Sequence, residues 1–132
     1  MNIIVAGTGE VGLRLAEQFM GRHRVVYLAA TQHDRARLER LDVTAVEGSA
    51  SDPHVLAAAG APTADVFIAT SLEDEKNIVA CVAAKRLGAH RAVAFLYRAG
   101  FFTSAEEDTA LAHSLGIDAI VRPAHQLADE IV

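Results

Sequence analysis

Near its amino terminus the chain reads Ile3-Ile4-Val5-Ala6-Gly7-Thr8-Gly9-Glu10-Val11-Gly12. Three glycines at this spacing, after an apolar run and before a helical pattern, suit the seat of a pyrophosphate. Gly7 permits a tight turn out of a strand. Gly9 lets the backbone approach an anion, and Gly12 brings the next helix close to the strand. The helix N-terminus adds free N–H groups and the positive end of its dipole. The chemistry this predicts is anion binding by backbone, with an adenine nucleotide as ligand. The competing reading is a glycine turn kept for packing alone.

A site of this type has a second part, an acid after strand two that holds the ribose hydroxyls. Here the chain runs Arg24-Val25-Val26-Tyr27-Leu28-Ala29-Ala30-Thr31-Gln32, the expected position is Ala29, and no carboxylate occurs before Asp34. Three readings stay open. The ribose carries a phosphate met by Thr31, His33 or Arg35; binding is weak or turned to another adenine nucleotide; or the site is lost.

The other reactive side chains form no pattern. The six histidines are scattered without metal-ligand spacing, so no metal is expected. Gly48-Ser49-Ala50-Ser51 lacks the second glycine of a nucleophile elbow. Tyr27 and Tyr97 have no lysine at short spacing, so an oxidoreductase domain is a minor alternative. Glu73-Asp74-Glu75 and Glu106-Glu107-Asp108 read as acids complementing a helix dipole. The single cysteine, Cys81, lies in an apolar helical run and reads as a small buried hydrophobe. No catalytic residue is proposed.

The elements that must position the glycine turn alternate between short β-branched runs and helical stretches. Strands are expected at 3–6, 24–28, 43–46, 65–69, 92–96 and 119–121, and helices at 10–20, 34–41, 54–59, 74–87, 103–115 and 124–132. Ser51 or Asp52 is expected to cap the third helix, with Pro53 at its first position. Ser71 and Asp74 form a candidate capping pair for the fourth. The alternation predicts an α/β fold, a Rossmann-type doubly wound parallel sheet of six strands in the order 3-2-1-4-5-6, as one domain over residues 1–132. The last helix breaks off at Val132 without a cap or polar tail, which leads us to expect a piece of a longer chain. A net charge of -5 with scattered Lys and Arg argues against nucleic acid as partner. No apolar run approaches the ~20 residues of a membrane helix, and no signal peptide is visible.

Two further runs make the pattern specific: Val46-Glu47-Gly48-Ser49-Ala50-Ser51-Asp52-Pro53, and Ala64-Asp65-Val66-Phe67-Ile68-Ala69-Thr70-Ser71 leading to Asp74-Glu75-Lys76-Asn77-Ile78-Val79-Ala80-Cys81. Together with the glycine turn they resemble the RCK or KTN (TrkA N-terminal) domain of potassium transport systems, over essentially the whole chain. The resemblance implies a cytoplasmic regulatory domain that gates potassium transport and lies at the inner membrane through a partner, a potassium transporter or channel subunit. It implies an adenine nucleotide, NAD(H) first, with ATP, ADP or NADP(H) as the others. The matching contacts would be Gly7 to Gly12, Ser49 and Ala50, Thr70 and Ser71, with Arg98 as a phosphate partner. It also implies a homodimer or a higher ring formed near the last strands and the final helix, where Leu127 and Ile131 lie. Two departures weaken ribose and adenine recognition: Ala29 stands where the family has an acid, and Ser49 where it usually has Asp. The apolar segment Arg98-Ala99-Gly100-Phe101-Phe102 suggests a lid or subunit contact. The family's C-terminal ligand domain has no counterpart in this sequence. An assembly scaffold that binds nothing is the rival function.

Overall fold

The computed structural model describes residues 1–98 and 105–123. The expected lid segment 99–102, Thr103 and the final helix with Leu127 and Ile131 fall outside them. Six parallel strands, β1 (Asn2–Gly7), β2 (Arg24–Ala29), β3 (Thr44–Glu47), β4 (Val66–Ala69), β5 (Arg91–Phe95) and β6 (Ala119–Val121), lie in the order β3-β2-β1-β4-β5-β6. The helices between them are α1 (Glu10–Phe19), α2 (Gln32–Ala36), α3 (Pro53–Ala58), α4 (Asp74–Leu87) and α5 (Ala105–Ser114). The predicted strand order is the observed one.

The unbroken apolar run of β1 follows from burial on both faces of the sheet. Ile3 and Val5 point to one side with Val25, Tyr27, Ile68 and Phe95, where α1 contributes Ala16. Ile4 and Ala6 point to the other with Leu28, Phe67, Ala92 and Ala94, under α3, α4 and α5. On that second side most contacts are alanines (Ala80 and Ala84 of α4, Ala112 of α5), so helices approach the sheet closely. Cys81 belongs to this layer, fully buried, with its Sγ 3.4 Å from the Val93 carbonyl. Burial pushes its thiol up to about 12, so the reactive thiolate is absent at neutral pH. A thiol reagent such as iodoacetamide should leave the native domain unmodified and alkylate Cys81 only after unfolding; fast native labelling would contradict this.

Two local expectations need correction. The second helix starts two residues early and ends five short of the expected 34–41. Thr31 is its N-cap, with Oγ1 accepting from the Asp34 N–H at 3.1 Å, and beyond Ala36 the bonds step back three residues, as in Leu38 N–H to Arg35 O and Leu41 N–H to Leu38 O. The helix therefore tightens into turns, although Leu38 still reaches the core. At α4 the N-cap is Glu73, and Asp74 does not reach back to Ser71. Its carboxylate crosses instead to the chain beyond β5, as described below. At α3 the expected cap holds: Asp52 accepts from the His54 N–H at 2.9 Å, with Pro53 in the first turn. A single 3-10 turn over Ala61–Thr63, which was not anticipated, follows α3.

Candidate functional site

In an open parallel sheet, ligands sit outside the carboxyl ends of the strands, where the strand order reverses. Here that point lies between β1 and β4, and the glycine turn leaves β1 there. Its three glycines have different reasons to be glycine. A Cβ on Gly7 would overlap Thr70 Oγ1 and lie 3.2 Å from the Thr70 carbonyl carbon. A Cβ on Gly12 would overlap the Tyr27 hydroxyl and lie 2.9 Å from Thr70 Oγ1. Both are required by protein packing. Gly9 is different. It is the N-cap of α1 with φ 80 and ψ -162, a conformation open essentially to glycine alone, and nothing lies within 4 Å of where its Cβ would be. No side chain caps α1, a ten-residue helix whose first N–H groups form the positive end of its dipole.

Beside the turn is a cavity of about 190 Å³. Gly7 and Thr8 form one wall, Ala30 and the loop Gly48 to Ser51 a second, and Ser71, Lys76 and Asn77 a third. Of the residues expected at the site, the structure brings Gly7, Thr8, Ser49, Ala50 and Ser71 to this cavity. Gly9, Glu10, Val11 and Gly12 continue the turn into α1. Ala29 is fully buried, with its carbonyl accepting from the Gly48 N–H, and the next residue, Ala30, occupies the cavity wall. Thr70 is fully buried below it, donating from Oγ1 to the Ala6 carbonyl at 3.2 Å. Thr31 is engaged as the α2 cap, and Arg35 lines a separate depression between α2 and β3. Arg98 is ion-paired, with Nε 3.6 Å from Asp74 and its NH2 group on Glu75.

Ala30, Ser51, Lys76 and Asn77 were not anticipated at the cavity. The buried pair Asp74 and Asn77 explains the run that made the sequence specific. Asn77 receives the Ser71 N–H (2.9 Å) and hydroxyl (2.8 Å) on Oδ1, and donates from Nδ2 to the Ser71 carbonyl (2.8 Å) and the Phe95 carbonyl (2.7 Å). Asp74 accepts from the N–H groups of Tyr97 (2.9 Å) and Arg98 (3.1 Å). One helix thus satisfies backbone groups at the carboxyl ends of both β4 and β5, among them the buried carbonyl of Phe95. Tyr97 closes the frame by donating its hydroxyl to the Thr70 carbonyl at 2.9 Å.

The electrostatics of the site suit binding better than acid–base chemistry. Burial, reinforced by Asp34 and opposed by Arg37, raises the Tyr27 phenol to about 12. Burial and Asp74 raise that of Tyr97. Both stay protonated at neutral pH, and both contribute to packing around the glycine turn. Glu10, at the head of α1, pairs with Arg37 from the turn after α2. Among the described residues that line the cavity none is Asp or Glu, and Lys76 is the charged one. Among the described residues no group of three His, Cys, Asp or Glu is placed to hold a metal ion, and no helix is long and apolar enough to cross a membrane.

The architecture and motifs are shared with known proteins. The TrkA-N domain family model matches residues 3–123. The chain is 34% identical over 130 residues to the Trk system potassium uptake protein TrkA homolog of Archaeoglobus fulgidus, covering 98% of this chain and 29% of that protein. It is 35% identical over 140 residues to the Trk system potassium uptake protein TrkA of Halomonas elongata, covering 99% and 29%. The chain therefore spans less than a third of the length of these relatives. Among solved structures, its fold matches the TrkA-N domain of the inner membrane protein ybaL from Escherichia coli with a TM-score of 0.82 at 17% identity, covering 98% of this chain and 93% of the other. It matches the GsuK channel bound to NAD with a TM-score of 0.73 at 22% identity, covering 91% and 21%. On the family match and the identity to these relatives, the chain belongs to the TrkA-N domain family.

Proposed function

We propose that this domain is a regulatory nucleotide-binding module of a potassium transport system, acting on a membrane transporter or channel subunit from the cytoplasmic side. The observation that carries the binding reading is Gly9, an uncapped helix start whose Cβ position is open while those of Gly7 and Gly12 are filled. An adenine nucleotide would lay its phosphates on the N–H groups of α1 and its nucleoside toward Ala30, Ser49 and Ala50. NAD(H) is the first candidate, supported by the fold shared with the NAD-bound GsuK channel. Arg98 would join the phosphates by exchanging Glu75 for them. A homodimer or ring would couple neighbouring copies. Bound nucleotide regulates only through unequal affinity for two arrangements of the assembly, and the coupling is reciprocal.

The test is calorimetric and thermal-shift titration with NADH, NAD, NADPH, ATP and ADP. Saturable stabilisation is expected, growing with ligand concentration as RT ln(1 + [L]/Kd). Gly9→Ala places a methyl group at the anion approach and strains the backbone by about 1–3 kcal/mol. Its folded fraction should bind at least tenfold more weakly. No response to any nucleotide at millimolar concentration would favour the assembly scaffold.

A further inference from the structure

In a chain with 17 acidic residues and a net charge of -5, no carboxylate is among the described residues that line the cavity beside the glycine turn. Its charged group is a cation, Lys76, and Ser49 and Ser51 stand on the same cavity. A ribose diol is held by a carboxylate that accepts from both hydroxyls. Neither Ala30 nor Ser49 supplies one. A lysine ammonium and two hydroxyls are all able to donate, which is the complement a phosphate oxygen requires. The two serines are already coupled, Oγ to Oγ at 2.9 Å, with the Ser51 N–H 3.3 Å from Ser49 Oγ. Either hydroxyl turns outward by exchanging that bond for one to a ligand. Among the described residues Lys76 pairs with Glu73, at 3.3 Å, and both side chains are 64% exposed. Such a pair holds the ammonium weakly.

We infer that Lys76, Ser49 and Ser51 form a second phosphate seat, distinct from the glycine turn, that selects a nucleotide phosphorylated on its adenosine ribose over one with a free diol. The inference rests on the nucleotide-binding reading above and puts NADP(H) ahead of NAD(H) as its ligand. It also moves the determinants away from those the sequence suggested for a phosphorylated ribose. Thr31 is engaged in capping α2, and Arg35 lies on a different depression. The lysine comes from α4 and the serines from the loop after β3.

The experiment compares NADP(H) and 2′-phospho-ADP-ribose with NAD(H) and ADP-ribose by calorimetry on the same protein. The phosphorylated ligands should bind at least tenfold more tightly than their unphosphorylated partners. Lys76→Ala should remove most of that ratio, weakening the phosphorylated ligands more than NAD(H). Ser49→Asp, which restores a carboxylate to the wall, should reverse the preference. Inorganic phosphate competes at both anion seats, so it should weaken NADP(H) binding more than NAD(H) binding. Equal affinity for the two ligand sets, or a preference unaltered in both variants, overturns the second seat and leaves the nucleotide-binding reading standing. Failure of all four ligands to bind overturns both.

Discussion

Replacing Asn77 with leucine is expected to cost about 4 kcal/mol of stability, since each buried polar group left without a partner costs about 1–3 kcal/mol. The side chain is nearly the same size, so the loss is not a cavity. It strips partners from the part-buried Ser71 N–H and carbonyl and from the buried Phe95 carbonyl. Asn77→Asp should be damaging as well. It keeps the two bonds received from Ser71 but sets a carboxylate against the carbonyls of Ser71 and Phe95. Denaturant titration reads the effect, and a loss below about 1 kcal/mol for Asn77→Leu would mean that these backbone groups find other partners. Because Ser71 and Asn77 both line the cavity, the leucine variant should lose nucleotide affinity even under conditions where it is folded.

The second large effect is expected at Gly7. A methyl group there meets the Thr70 side chain and, at 3.2 Å, its carbonyl carbon. Thr70 is fully buried and is tied through Oγ1 and its own N–H to the Ala6 carbonyl. Relief requires breaking these bonds or parting β1 from β4, where Ala6 pairs with Ala69. Overpacking of this kind costs typically about 3 kcal/mol at its upper range, equivalent to a fall in Tm of about 10 °C for a domain of this size. The double variant Gly7→Ala, Thr70→Ala removes the colliding hydroxyl and should recover part of the loss. Full additivity of the two single effects in a double-mutant cycle would show that the collision is not the cause.

The sheet was legible because each strand is a short β-branched or alanine-rich run between turn residues, and right-handed crossovers leave few orders for six parallel strands. The extent of α2 was not. Thr31 as a cap competes with other polar residues nearby, and the change from four-residue to three-residue bonding beyond Ala36 leaves no mark in the hydrophobic period. The glycine turn was legible because its spacing is local. Lys76 was not, since it reaches the cavity through the topology that sets α4 beside the loop after β3. Asp74 and Asn77 stand out in the sequence as part of a motif, and only Asp74 carries a local expectation there, at the helix start. Their long-range partners lie 18 to 24 residues away, at the end of β5 and just after it, and no periodicity encodes such a bond. Ala29 was named from a spacing rule, whereas the pleat turns it into the core and presents Ala30.

The residues that hold the cavity open are not those that face into it from the side of the nucleoside. Gly7, Gly12, Thr70, Asp74 and Asn77 are committed to one another and to the backbone, and a change at any of them threatens folding. Ala30, Ser49, Ser51 and Lys76 bear little of that burden. On the proposed binding reading, such a division leaves ligand preference free to change by substitutions on one wall while the fold is kept. A chain can on that reading keep the Asp74 to Cys81 run while its cavity wall changes, so the run reports the frame of the fold more than the ligand.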